Sequence, residues 1–127
     1  AGDGQGIEID ALNQNTLVQY NYLHDNACGV FMWCCTEDLR GFDGIYRYNI
    51  SQNDKDKAFE FAQGCPNGTM IYQNTIYSDR TIPKGVFYLS NTGAGLGVNE
   101  IYAFNNVFQY PEGQVFYGET ERPFKTV

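Results

Sequence analysis

The chain has 127 residues, 43% of them hydrophobic and 16% aromatic, which is enough to bury a core and fits a long thin one. Its formal charge is −7 and its eight basic residues are scattered, so the clustered cations that nucleic-acid phosphates require are missing. No apolar run approaches the ~20 residues of a membrane span and no signal-peptide pattern opens the chain, so neither nucleic acid nor membrane is expected as a partner.

Taken in chain order, two phrases alternate. The first is Gly6-Ile7-Glu8-Ile9-Asp10, an alternating strand pattern. It returns as Val30-Phe31-Met32-Trp33-Cys34, Ala58-Phe59-Glu60-Phe61-Ala62, Val86-Phe87-Tyr88-Leu89-Ser90 and Val115-Phe116-Tyr117-Gly118-Glu119. The second is an apolar run, an aromatic or Gln, one Asn and a short second run. It reads Leu17-Val18-Gln19-Tyr20-Asn21-Tyr22-Leu23, then Ile45-Tyr46-Arg47-Tyr48-Asn49-Ile50-Ser51, Met70-Ile71-Tyr72-Gln73-Asn74-Thr75-Ile76 and Ile101-Tyr102-Ala103-Phe104-Asn105-Asn106-Val107.

Asn21, Asn49, Asn74 and Asn105 are 28, 25 and 31 positions apart, and Ile7, Phe31, Phe59, Phe87 and Phe116 are 24, 28, 28 and 29 apart. Self-similarity at such a period marks a solenoid, whose repeats bury their apolar faces only by stacking. No window of 11 or more residues shows a helical period, and Gly, Asn and Asp punctuate every segment. The predicted class is all-β, with parallel strands stacked coil on coil about 4.8 Å apart.

Period-2 alternation places Ile7, Phe31, Phe59, Phe87 and Phe116 on an inward face with Ile9, Trp33, Phe61 and Leu89. Glu8, Met32, Glu60, Tyr88 and Tyr117 then form one outward column, and Asp10, Cys34, Ala62, Ser90 and Glu119 the next. Asn tolerates the left-handed backbone that a tight bend needs, so Asn21, Asn49, Asn74 and Asn105 are predicted at the bends, their side chains stacked as a ladder. Five wide strands and four Asn turns amount to four to five coils in a single domain, 1–127. With no capping element at its start, the chain is expected to be part of a longer β-helix or to pair end to end as a homo-oligomer.

This order of elements, with the stretch Tyr20-Asn21-Tyr22-Leu23-His24-Asp25-Asn26, resembles the right-handed parallel β-helix of the pectate-lyase-like superfamily. The resemblance covers nearly the whole chain. It implies a fold more than a chemistry, because that superfamily holds polysaccharide lyases, glycoside hydrolases, esterases, tailspikes and non-catalytic adhesins. It implies a groove along the outward face of the wide sheet, an extended polysaccharide or oligosaccharide as partner, and a secreted, periplasmic or cell-surface location. The expected function is binding or cleaving that polysaccharide, as a glycoside hydrolase or polysaccharide lyase. The alternative is a non-catalytic binding or adhesion module, or an inactive fragment.

On the predicted groove face Glu8 and Glu60 are two coils apart, about 9–10 Å between backbones. That is the upper edge of the ~6.5–9.5 Å carboxyl separation of inverting glycosidases, so both are candidate catalytic acids. Tyr88 and Tyr117 are candidate sugar platforms, with Asp10 and Arg40 as further substrate contacts. A calcium reading competes for Asp3, Glu8, Asp10, Glu37 and Asp38, since Ca²⁺ takes six to eight oxygens. The lyases of the superfamily pair Ca²⁺ with a basic residue. Here the nearest, Arg40 and Lys57, are in loops and align on no wide strand.

No dedicated cofactor is assigned. Asp54-Lys55-Asp56-Lys57 reads as an exposed turn rather than a calcium loop. Cys28, Cys34, Cys35 and Cys65 lack the paired short spacing of a zinc site. A Cys35–Cys65 disulfide and free thiols both fit. His24, the sole histidine, reads as a hydrogen-bonded turn residue, because its neighbour Asp25 on a strand points the opposite way. Ser90 has no second histidine to complete a triad.

Overall fold

The computed structural model describes residues 4–10, 13–34, 44–62, 67–90 and 100–119. Within them lie thirteen strands in three parallel sheets, and no helix. The wide sheet stacks β1 (Gln5–Ile9), β4 (Gly29–Cys34), β7 (Phe59–Ala62), β10 (Phe87–Ser90) and β13 (Tyr117–Glu119). The second sheet orders β2 (Leu17–Gln19), β5 (Ile45–Arg47), β8 (Asn67–Tyr72) and β11 (Glu100–Phe104). The third orders β3 (Tyr22–His24), β6 (Ile50–Gln52), β9 (Thr75–Tyr77) and β12 (Val107–Gln109). The chain visits the sheets in turn, one strand in each, which makes it a parallel β-solenoid.

The interior is the predicted inward face. Phe31, Trp33, Phe59, Phe61 and Ile71 are each no more than 1% exposed. Trp33 stacks on Phe61 at 5.0 Å and Phe59 on Phe87 at 5.4 Å, while Tyr46 of the second sheet meets Phe31 and Phe59 edge-on at 4.7 and 5.3 Å. These are the offset and T-shaped geometries that ring quadrupoles favour.

The last wide strand departs from the expected register. Phe87 is opposite Tyr117, not Phe116, so Tyr117 continues the inward row at its last described rung, 53% exposed there, with its ring 6.0 Å from that of Phe87. Gly118 explains the shift. A Cβ at Gly118 would come 1.8 Å from the Lys84 carbonyl oxygen, so the site opposite Tyr88 admits only glycine. Matching Val115-Phe116-Tyr117 letter for letter to Val86-Phe87-Tyr88 puts a tyrosine in that forbidden spot.

The ladder is present with two corrections. Asn21 N–H and Nδ2 donate to Asn49 Oδ1, Asn49 repeats the pattern on Asn74, and Asn74 repeats it on Asn106, not Asn105. The left-handed residue at each bend is the one before the ladder Asn: Tyr20, Tyr48, Gln73 and Asn105 have φ of 59°, 54°, 54° and 53°. One residue absorbs the sharp turn and the next points its amide inward, where it reaches the neighbouring coil.

A second internal link follows the third sheet. Asp54, 4% exposed, accepts from Asn26 N–H and Nδ2 at 2.8 and 2.7 Å and from the Ser51 hydroxyl at 2.5 Å. The stretch read as an exposed turn is therefore half interior: Asp54 and Lys57 are buried and only Lys55 is fully exposed. At the surface the left-handed φ of 56° at Asp25 swings its carboxylate back to His24 Nδ1, 3.0 Å away, and defeats the strand argument that kept the two apart.

Candidate functional site

The outward column of the wide sheet runs Glu8, Met32, Glu60, Tyr88, Gly118. Tyr117 has left it for the inward row. Arg40, Asp3, Glu37 and Asp38 lie outside the described residues, as do Cys35 and Cys65. Asp10 follows β1 at its end, exposed beside Glu8.

Glu8 and Glu60 do share this column, but Met32 lies between them and is 7% exposed. Glu8 is exposed, whereas Glu60 is 7% exposed. The Glu60 carboxylate is held by two donors on one oxygen: Lys57 Nζ at 2.6 Å and Gln5 Nε2 at 3.1 Å from Oε2. Gln5 Nε2 is also 3.2 Å from Met32 Sδ, so the Gln5 side chain lies across both residues.

Gly29 explains how arms from alternate coils meet there. It stands in the row between Gln5 and Lys57, and a Cβ on it would come 2.4 Å from the Lys57 carbonyl oxygen and 3.1 Å from Lys57 Cγ. Its missing side chain leaves the space through which Lys57 and Gln5 converge on Glu60.

Lys57 is 4% exposed and also contacts Asp56 Oδ2 at 3.2 Å, an oxygen that Lys84 Nζ approaches at 2.9 Å. Both ammonium groups lie near the half-exposed Tyr88 ring, at 5.9 and 5.5 Å from its centroid, within cation–π range. Burial pushes the Asp56 carboxyl up, but hydrogen bonds from Lys84 and Lys57 outweigh it and hold the group below its ordinary value. The hydrogen bond to Asp56 raises the Lys84 ammonium in turn, against its partial burial.

Gln5, Asp56 and Lys84 are the members of this cluster that the sequence did not single out, while Lys57 was noted as a basic residue near the groove but set aside because it aligns on no wide strand. A signal existed: Lys57 and Lys84 each stand just before a wide strand, two residues ahead of Phe59 and three ahead of Phe87. Loops that deliver a cation to the same edge in successive coils place it beside the same outward column.

At the other end, Glu8, Asp10 and Cys34 bring one ligating atom each to within 4.8 Å of one another. Two carboxylates and a thiol are a mixed hard and soft set, unlike the all-oxygen shell that calcium takes. Cys28 and Cys34 are thiols.

Over 78 residues, 61% of this chain, the sequence is 40% identical to a lacto-N-biosidase of Bifidobacterium longum subsp. longum. The chain spans 5% of that relative's length. No family model and no solved structure matches.

Proposed function

We propose that this β-solenoid is a carbohydrate-active segment that holds an oligosaccharide against the outward face of the wide sheet, at the cluster around Glu60 and Tyr88. The observation that carries the reading is Tyr88, a half-exposed aromatic ring flanked by Glu60, Lys57 and Lys84, in a chain similar to a named glycosidase. An aromatic face takes the C–H surface of a sugar ring, and fixed charged groups at its rim bond the hydroxyls. The parallel three-sheet topology and the Asn ladder support membership of the pectate-lyase-like superfamily. The partner class, an extended glycan, supports a secreted or cell-surface location.

Met32 between the two glutamates favours binding over two-acid cleavage by Glu8 and Glu60. Glu60 is committed to Lys57 and Gln5, and a rung of sheet separates it from Glu8. The test is calorimetric titration with lacto-N-biose, the sugar unit in the relative's name, alongside a reducing-sugar assay on its longer oligosaccharides. Binding that falls at least about tenfold in Tyr88→Ala is expected. Turnover that disappears in Glu60→Gln, while binding survives, converts the reading to catalysis. Unchanged binding in Tyr88→Ala overturns it.

A further inference from the structure

Three successive loops at the entrance edge of the wide sheet wall an open groove of about 450 Å³, lined by Ala27 and Cys28, then Lys55 and Asp56, then Arg80 to Lys84. The chain carries a net charge of −7. Yet, of the lysines and arginines among the described residues, all but Arg47 gather at this edge: Lys55, Arg80 and Lys84 line the groove and Lys57 lies behind it. The acids facing them are few. Asp56 engages Lys84 and Lys57, Glu60 engages Lys57, and Asp79 engages Arg80 at 3.0 Å through side chains that are each 53% exposed. Asp54 is turned inward to Asn26 and Ser51. Among the described residues Lys55 has no ion pair, and the partner of Arg80 is a solvent-screened sequence neighbour that an incoming anion displaces at little cost.

The walls are fixed before any ligand arrives. Lys55 N–H donates to the Asn26 carbonyl and Lys84 N–H to the Asp56 carbonyl, each at 2.9 Å, so every loop is tied to the one before it. Ile82 is clamped from the next coil by the Gln114 amide, through bonds of 2.7 and 3.1 Å. The glycine at 118 lets the Lys84 backbone cross above β13. Lys84 belongs to both regions: it lines the groove, and its ammonium is 5.5 Å from the Tyr88 ring centroid.

We propose that this groove is a subsite for an anionic substituent, a carboxylate or a sulfate ester, on a sugar chain whose neighbouring ring rests on Tyr88. The assignment rests on the saccharide reading above and adds the charge class of the ligand. Lys55 and Arg80 recognise the anion, and Lys84 spans the two subsites.

The experiment titrates the full chain with lacto-N-biose and with its sialylated and sulfated forms, in about 0.1 M and 1 M salt, where the screening length falls from about 10 to 3 Å. The charged sugars are expected to bind about three- to tenfold tighter than the neutral one at low salt, the range for one or two exposed ion contacts. High salt abolishes that advantage, and so does the Lys55→Ala/Arg80→Ala double variant, which leaves neutral-sugar affinity unchanged. Both residues are exposed, so the variant folds. The sialylated and sulfated probes separate the two anions, and preference for either supports the subsite. Equal binding of neutral and charged sugars by the parent chain overturns the subsite and leaves the saccharide reading standing. Binding of none of the three overturns both.

Discussion

Replacing Asn74 by Leu tests the ladder at one of its two fully buried links, the other being Asn49. Asn74 is 1% exposed. Its Oδ1 accepts from Asn49 N–H at 3.0 Å and Asn49 Nδ2 at 3.1 Å. Its Nδ2 donates to the Tyr46 and Tyr72 carbonyls at 3.0 and 3.1 Å and to Asn106 Oδ1 at 3.0 Å. Leucine fills the volume and satisfies none of these. The Asn49 N–H loses its acceptor outright, which costs about 1–3 kcal/mol for a buried donor. The two carbonyls keep a second lone pair each and add less, while burying the leucine side chain returns up to ~2 kcal/mol. A net loss of about 1–3 kcal/mol follows, read from the urea midpoint by far-UV circular dichroism with an unchanged m value. The control separates the two asparagines that end the column. Asn106→Leu is expected to cost about 1–3 kcal/mol because Asn74 donates to its Oδ1. Asn105→Gly is expected to stay within about 0.5 kcal/mol, since glycine accepts the left-handed φ at an exposed site. A loss under about 1 kcal/mol for Asn74→Leu, or a larger loss at 105 than at 106, refutes the ladder as a source of stability.

Phe59→Ala, at a fully buried ring stacked on Phe87 and met edge-on by Tyr46, should cost about 3–5 kcal/mol in the same assay, because coils tied by backbone bonds cannot collapse into the gap. Lys57→Met leaves the buried Glu60 carboxylate with Gln5 as its donor and should cost about 3–5 kcal/mol, most of it recovered in Lys57→Met/Glu60→Leu; a single variant as stable as the parent dissolves the ion pair. Asp56 is held below its ordinary value of 3.8, so its contribution is present above that pH and is lost as pH falls through the lowered value. Lys84 is raised above 10.5, so its contribution is present below that pH and is lost as pH rises through the raised value. The stability gap between the parent and Asp56→Asn should therefore be level near neutrality and narrow towards both extremes of pH; a gap that does not narrow as pH falls below 3.8 contradicts the pairing.

The rows of the solenoid were legible in the sequence. Period-2 alternation and a repeat near 28 residues are local signals, and parallel stacking turns like positions into neighbours, so Phe31, Phe59 and Phe87 and the column of Asn21, Asn49 and Asn74 followed directly. Where two letters competed, tertiary structure decided. At the Asn105-Asn106 pair the bend takes the first and the ladder the second. At the last wide strand the Lys84 carbonyl leaves room for no Cβ beside it, which slides Gly118 opposite Tyr88 and carries Tyr117 inward. The candidate site was half legible. Strand phase put Glu8, Met32 and Glu60 in one column in that order, but gave no warning that the Gln5 side chain lies across Met32 and Glu60. Lys57 and Lys84 come from loops, where no period fixes direction. They reach Glu60 and Tyr88 because Gly29 and Gly118 leave space in adjacent coils, and that is a contact only the stacked chain can make.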